Sequence, residues 1–373
     1  MGQRAQKEEP AMKKNITCTA VKVTKASATV AVGVDIGDMQ CQVCARDKAA
    51  GITLERKVRT TRAGLALVFE HLPPCRVVIE AGSQTRWIAE AITAMGHTVR
   101  VVNPRKMRRI YESDSKSDLQ DARELSEAAL DRWDRLPEVK LRSRESQQKL
   151  SVLRTRDALV RSRVALVNLV RSLLKQGGVK VPKCSTEAFP KKASALVPEE
   201  FSVAVAPALA QIASLTAQIK ALDVWIEAQA ALDPNIRCLR QIQGVGPVTA
   251  AAFVWTLDDP ARFERSRSVG AYLGLRPRRD QSGETDKQLP ITKAGNVYLR
   301  TLLVGCSHYI LSKKGPDTAL KQFGLRLAER GGKRAKRKAV VAVARKLAVL
   351  LHHLWATGEV YEAFPEARKR RAA

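Results

Sequence analysis

From Ala28 the chain reads as β structure, in short runs at 29–35, 39–45 and 52–60, the first and last rich in valine, isoleucine and threonine. A turn at Gly37-Asp38 separates the first two runs. Two short connections with glycine at or near the turn predict a three-stranded meander. The pattern then alternates in kind: a helix over 63–71, an apolar strand over 76–80, a helix over 87–95, and a strand over 98–103 that Pro104 ends. A long helical stretch follows over about 116–133.

The order β-β-β-α-β-α-β-α is that of an RNase H-like fold, in which three antiparallel strands lead into parallel ones and helices serve as crossovers. Beyond it, residues 145–176 contain neither Pro nor Gly until Gly177-Gly178. Leu150, Leu153, Val160, Val164, Val167 and Leu174 fall there at heptad-like spacing. A second helix predicted over 207–231 carries Leu209, Ile212, Ile219, Leu222 and Ile226 at the same spacing. Two such helices joined by a connector predict an antiparallel coiled-coil hairpin; a helical bundle packed on its own domain explains the pattern equally well. From Ile236 the chain is mostly helical with glycine-punctuated turns. The expected organisation is a flexible basic arm (1–27), an α/β catalytic domain (28–140), a coiled-coil or helical region (141–235), a helical C-terminal domain (236–362) and a basic tail (363–373).

Charge narrows the function. Sixty-five Lys and Arg oppose 37 Asp and Glu, a formal net charge of +28 over 373 residues. That excess points to a polyanionic partner, nucleic acid first. Hydrophobic residues make up 45%, enough for real cores, so the chain is not a disordered basic tail. No apolar run reads as a membrane span of ~18 residues, and the first 27 residues lack an apolar signal core. Seven cysteines, an odd number, argue against a secreted disulfide framework. A reduced, cytoplasmic protein without a membrane partner is the expectation. Cys41 and Cys44 form a lone CxxC within a predicted strand, where an offset of three sends the thiols to opposite faces rather than to one zinc.

Four carboxylates stand out by position. Asp35 closes the first strand in Gly33-Val34-Asp35-Ile36-Gly37, and Glu80 closes the fourth in Val78-Ile79-Glu80-Ala81-Gly82. Asp118 and Asp121 lie three apart and share a helix face. In this fold the first and fourth strands are neighbours, so their ends bring Asp35 and Glu80 together, and a following helix can add the Asp pair. Four gathered carboxylates repel unless a cation neutralises them. Hard oxygen ligands suit Mg²⁺, or Mn²⁺, and two such ions about 4 Å apart can clamp a phosphodiester for in-line attack. Singly, each residue is as well explained as a turn, cap or solvated helix residue.

Further along, Gln243-Gly244-Val245-Gly246-Pro247 precedes an apolar helix and resembles a helix-hairpin-helix turn, whose backbone N–H groups at Gly244 and Gly246 can hold a DNA phosphate. Arg276, Arg278 and Arg279 lead into a polar loop containing Ser282; Lys293 and Arg300 follow, and Lys333, Arg334, Lys336 and Arg337 form a second basic run. These cations are candidate contacts to nucleic-acid backbone. Aromatics make up only 5%, which makes base stacking a minor element.

Together these segments resemble the insertion-sequence one-ten family of transposases, also called DEDD transposases. The resemblance is carried by VDIG at Asp35, IEAGS at Glu80, VVNP at 101–104, KSDLQDA at 116–122, QGVGPVTA, FERSRSVGAYLGLRPR, ITKAGNVYLRTLLV and RKAVVAVARKLAVLL, spanning nearly all of the chain after Ala28. It implies a RuvC-like N-terminal domain with Asp35, Glu80, Asp118 and Asp121 as the Mg²⁺-binding set. It also implies Ser282 as a nucleophile that links covalently to a DNA phosphate. Family members are similar in assembling dimers or tetramers in which carboxylates of one protomer meet the serine of another, and some pair donor and target DNA through a structured bridge RNA. Two positions depart from the family pattern: Lys-Ser-Asp replaces Lys-Thr-Asp, and Gln281-Ser282-Gly283-Glu284-Thr285 replaces Ser-Ser-Gly-Gly-Lys. The competing readings are a Holliday-junction resolvase-like, structure-specific nuclease that uses the carboxylates but not Ser282, and a non-catalytic nucleic-acid-binding protein.

Overall fold

The computed structural model describes residues 30–107 and 117–364. The expected arm 1–27 and all but the first two residues of the expected tail lie outside them. The chain divides into two compact units, Met1–Leu141 and Arg142–Ala373.

The first unit contains β1 (Ala31–Ile36), β2 (Gln40–Asp47), β3 (Gly51–Arg59), α1 (Arg62–Phe69), β4 (Arg76–Glu80), α2 (Thr85–Ala94), β5 (Thr98–Val102), α3 (Pro104–Met107) and α4 (Asp118–Asp131). Its five-stranded sheet has the order β3-β2-β1-β4-β5. β1, β2 and β3 pair antiparallel, whereas β4 joins β1 and β5 joins β4 in parallel. The period-two alternation of strands assigns the faces. Val32, Val34, Cys41, Val43, Val58, Val77 and Ile79 point one way, into a core with Leu65, Phe69, Ile88 and Ile92 of α1 and α2. Ala31, Val78 and Val102 point the other way, onto Leu125, Ala128 and Ala129 of α4. The thiols of the CxxC divide as the spacing predicts: Cys41 enters the first core, while Cys44 lies 3.4 Å from the Ser126 hydroxyl of α4.

Gly33 sets how closely α4 approaches. A Cβ there would stand 2.2 Å from the Ala122 carbonyl oxygen and 2.3 Å from the Ser126 nitrogen, so the helix backbone rests directly on the strand.

The second unit begins with α5 (Arg144–Gln176), α6 (Phe189–Ser194) and α7 (Glu199–Leu232), followed by α8 (Pro234–Leu239), α9 (Pro247–Leu257) and α10 (Arg267–Tyr272). A hairpin of β6 (Pro277–Ser282) and β7 (Thr285–Ile291) then precedes α11 (Val297–Ile310), α12 (Ala319–Ala328) and α13 (Gly332–Thr357). α5 and α7 run antiparallel: Arg156 pairs with Asp223, and Arg163 Nη1 donates to Thr216 Oγ1 at 3.2 Å. At one end of the pair, Val167, Val170 and Leu174 pack on Val205, Leu209 and Ile212. At the other end, Leu150, Leu153 and Ile226 join the main core around Phe253, Trp255, Leu299, Leu303 and Leu347.

α7 starts at Glu199, a full eight residues before the predicted start at Pro207, which lies inside the helix. The proline strips the Val203 carbonyl of its helical partner. Val203 is 89% exposed, so water can replace the bond. α7 and α13 also meet the length and mean hydropathy (1.4) of a membrane span, contrary to the sequence expectation. Their apolar residues are used inside the protein: Ile212 and Ile226 of α7 and Val343, Leu347 and Leu351 of α13 are buried in its cores.

Candidate functional site

β1 and β4 run parallel in register, Val34 beside Ile79. The next residue on each strand is a carboxylate, Asp35 and Glu80, so the two acids sit side by side at the same end of the sheet. Both point toward the α4 face: Asp35 shares it with Ala31 and Gly33, and Glu80 with Val78. They open onto a cavity of about 220 Å³ lined by Asp35 to Asp38 and Glu80 to Gln84.

The loop after β4 is tied down from below. The Thr85 hydroxyl, in a residue only 1% exposed, donates to the Glu80 carbonyl at 2.8 Å and accepts from the Gly82 N–H at 2.6 Å. Gln84 Nε2 donates to the carbonyl and side chain of Asp38 at 3.2 and 3.3 Å, joining the two loops across the cavity mouth. Asp38, Gln84 and Thr85 were not singled out in the sequence. The turn residue Asp38 and the Ser83-Gln84-Thr85 stretch carried no periodic signal, only their positions immediately after strand ends.

α4 starts at the Ser117 N-cap, whose hydroxyl accepts from the Gln120 N–H at 3.2 Å. Asp118 and Asp121 occupy the first turn, where the helix dipole favours carboxylates. They also extend the sheet-facing stripe Ala122, Leu125, Ser126 and Ala129 backward by one turn. Ala122 lies over Gly33, and Ala128 and Ala129 lie toward Ala31. The helix therefore runs opposite to β1, and its first turn heads toward the end of the strand that bears Asp35.

The structure places the four expected carboxylates as two pairs. Asp35 and Glu80 are strand neighbours, and Asp118 and Asp121 share one helix turn. Among the described residues, however, no three acidic, His or Cys side chains converge into a ligand set for a metal ion. The donor chemistry, hard oxygens around a polar cavity, suits a dication such as Mg²⁺.

Two charges of α4 beside the acids have defined surroundings. Arg123 of α4 grips Glu55 of β3 with two bonds, Nε–Oε1 2.5 Å and Nη2–Oε2 3.0 Å, which holds the Glu55 carboxyl below its ordinary value. Glu124 is pushed up, first by burial and further by the charges of Asp121 and Glu127.

In the second unit, Ser282 ends β6. The segment expected to be a polar loop is a β-hairpin, with Ser282 paired to Thr285 across Gly283-Glu284. Gly283 has φ 55°, while Glu284 does not enter the left-handed region. A turn with positive φ only at its first central residue has the II′ pattern, so Glu at the second position costs the turn nothing. Ser282 is exposed at the tip. Arg276 and Arg278 are exposed, whereas exposed Arg279 is held by Asp286 in a bidentate pair at 2.7 and 2.6 Å.

Arg300 is a correction. It is 9% exposed and its Nη1 donates to the carbonyls of Leu273 and Ala294 at 2.9 and 2.8 Å, so it holds two loops together and does not face a nucleic acid. Burial lowers its affinity for a proton. The loops it joins are tight: Cβ atoms on Gly274 or Gly295 would fall 2.2 Å from the Ala294 oxygen and 2.0 Å from the Tyr272 oxygen. Lys293, between them, is exposed with φ 55°.

Gly244 takes φ 99° against the Tyr309 ring, and Gly246 is the N-cap of α9. Both line an open groove of about 640 Å³ together with Arg240, Gln243, Thr301 and Tyr309. Lys333, Arg334, Lys336 and Arg337 are exposed on the first turns of α13, which contain no acid.

Residues 32–178 match a family described as transposase, of the DEDD type, and residues 236–323 match the transposase IS116/IS110/IS902 family. The chain is similar to a probable family 20 transposase of Pseudomonas aeruginosa, with 32% identity over 73% of this chain and 81% of that one. It is also similar to the transposases of the insertion sequence elements IS1111A of Coxiella burnetii (31% identity; 88% of this chain, 90% of that one) and IS1328 of Yersinia enterocolitica (30%; 76% and 84%). A sheet that pairs two carboxylates at a strand edge, in a strongly basic chain with these relatives, defines a transposase, an enzyme that cuts and rejoins DNA by phosphoryl transfer. The chain belongs to the IS110 family of transposases.

Proposed function

We propose that this transposase moves an insertion sequence by a serine–phosphodiester exchange, in which Asp35, Glu80, Asp118 and Asp121 form the metal-binding side of the reaction and Ser282 the nucleophile. The observation that carries the proposal is the pairing of Asp35 and Glu80 at the ends of neighbouring parallel strands, on the face toward which the first turn of α4 points. The strand order, with three antiparallel strands continuing into two parallel ones, supports an RNase H-like, RuvC-like assignment for the first unit.

In this reading the Ser282 oxygen attacks a DNA phosphorus. A Ser–O–P bond forms, one backbone P–O bond breaks, the serine proton is released and the departing oxygen takes one up. Attack by another DNA hydroxyl reverses the exchange and reseals the strand, so the phosphodiester is conserved without ATP. Serine is a weak nucleophile at neutral pH and needs activation. Mg²⁺, when bound by the carboxylates, would neutralise charge on the phosphate oxygens. The exposed tip position of Ser282 leaves it accessible to DNA.

The GxG groove and the exposed cations Arg276, Arg278, Lys293, Lys333, Arg334, Lys336 and Arg337 serve as backbone contacts for donor and target DNA. The net charge is large enough for a structured guide (bridge) RNA as well, with pairing reading sequence and protein reading shape. By analogy with the family, the protein would act as a homo-oligomer, a dimer or tetramer.

The test uses purified protein with its co-purified RNA, DNA carrying the ends of the element, a target DNA and Mg²⁺. Wild type is expected to recombine the DNA. Asp35→Ala and Glu80→Ala should bind nucleic acid with unchanged affinity but lose cutting by at least ~10³-fold, the scale of losing a metal ligand set. Recombination by Ser282→Ala at the wild-type rate would instead favour a carboxylate-only nuclease chemistry.

A further inference from the structure

The cross-strand register continues past the carboxylates. Asp35 of β1 pairs with Gln42 of β2, and Gln42 pairs with Lys57 of β3. One step closer to the same sheet end, Gln40 pairs with Arg59. β3 is the edge strand. Its faces are fixed by contacts: Val58 is buried with α1 and α2, and Arg56 Nη1 donates to Leu67 O of α1, whereas Glu55 is gripped by Arg123 of α4. Alternation then puts Lys57 and Arg59 on the α4 face, the face of Asp35 and Glu80.

At about 4.8 Å per strand, Lys57 stands roughly 10 Å from Asp35 along the sheet. With a rise of ~3.4 Å per nucleotide, that is about two or three nucleotides of a DNA strand. Both Lys57 and Arg59 are exposed, and among the described residues neither has an ion pair. The acid nearest them on their own strand face, Glu55, is already occupied by Arg123. Gln42 between them and Asp35 is half-buried and uncharged. The row therefore runs from two acids, through a neutral amide, to two uncommitted cations at one end of one sheet face.

Resting on the reading of Asp35 and Glu80 as the reacting centre, we propose that Lys57 and Arg59 are positioning residues that bind the DNA backbone beside the phosphate being cut. The carboxylates repel the strand they must act on; the two cations hold its flanking phosphates and fix its register over the acids. They bear phosphate charge only, so they position DNA without reading its sequence.

The full-length protein is compared with Lys57→Ala/Arg59→Ala, with the charge-preserving Lys57→Arg/Arg59→Lys, and with Lys48→Ala. Lys48 is exposed in the turn between β2 and β3, at the opposite end of the sheet. Binding of a labelled DNA duplex, and separately of a single-stranded RNA, is titrated against NaCl in EDTA. Cutting of plasmid DNA bearing the element's ends is measured in Mg²⁺. The double alanine variant should lower the slope of log K against log salt by about 2 for DNA, close to 0.9 per lost contact. It should raise the KM for DNA roughly tenfold with kcat changed less than about twofold. The charge-preserving variant should restore both values, and Lys48→Ala should match wild type. An unchanged DNA slope and KM in the double variant, with Asp35→Ala still abolishing cutting, overturns this inference and leaves the proposed chemistry standing. A loss confined to RNA also overturns it. A lowered DNA slope in the double variant, with a wild-type protein that cuts nothing, keeps the contact and removes the chemistry.

Discussion

Thr85 shows how a single buried hydroxyl can hold the backbone that carries a strand-end acid. It bridges the Glu80 carbonyl and the Gly82 N–H, so the backbone that aims Glu80 is held by two bonds from one side chain. Thr85→Val keeps the shape but leaves both backbone groups without that partner. A loss of about 1–3 kcal/mol in unfolding free energy is expected, measured by urea denaturation, together with slower DNA cutting at unchanged DNA affinity. Thr85→Ser should retain the cutting rate. At the same scale, Arg300 teaches the opposite lesson. Its position in a basic, loop-rich stretch suggested a phosphate contact, but charge in a sequence does not report burial. The two carbonyls it satisfies come from Leu273 and Ala294, and only the fold brings them to it.

At the scale of elements, the most exacting contact is Gly33 beneath α4. Gly33→Ala places a methyl carbon against helix backbone that cannot rotate away. The substitution should cost at least the ~1–3 kcal/mol typical of overpacking and lift the first turn of α4 from the carboxylate edge; a lowered thermal midpoint with reduced cutting would register both effects. α4 is also held by Arg123 and Glu55. Because Glu55 titrates below its ordinary value when folded, its contribution is present above pH 4.5 and is lost as pH falls through the lower folded value. Glu55→Gln should therefore destabilise by up to about 1 kcal/mol at neutral pH, and the difference from wild type should shrink as titrations go below pH 4.5. The sheet was legible from its runs of strand-forming residues and the order in which strands and helices alternate, although β3 buries only Val58. The β6–β7 hairpin was not, since nearly every residue from Arg278 to Pro290 is exposed and no face is marked by apolar side chains. Pro207 misled for a related reason: proline signals a helix start, yet an exposed turn tolerates it inside one. Asp35 and Glu80 were readable as strand-end acids, but the hydrogen bonds from Thr85 and Gln84 that tie down the loops beside them were not, because they join residues that only the fold brings together.

For the whole molecule, a net charge of +28 coexists with a local acidic edge. The two have different physical roles. Dispersed cations release counterions from nucleic acid, so DNA affinity should fall by roughly 10³-fold or more between 50 and 200 mM salt if six or more phosphates are contacted, a dependence that filter binding or anisotropy measures directly. The acidic edge should contribute nothing to that slope. It should instead make cutting dependent on a divalent cation while binding persists in EDTA. The central claim joins this edge to Ser282, and the most direct measurement is the chemical identity of the linked residue. Protein is incubated with element-end DNA and Mg²⁺, denatured, treated with nuclease and proteolysed, and the peptides are analysed by mass spectrometry. The account predicts a nucleotide on Ser282, lost in Asp35→Ala. Recombined DNA with no nucleotide on Ser282, or with one on another residue, would contradict it.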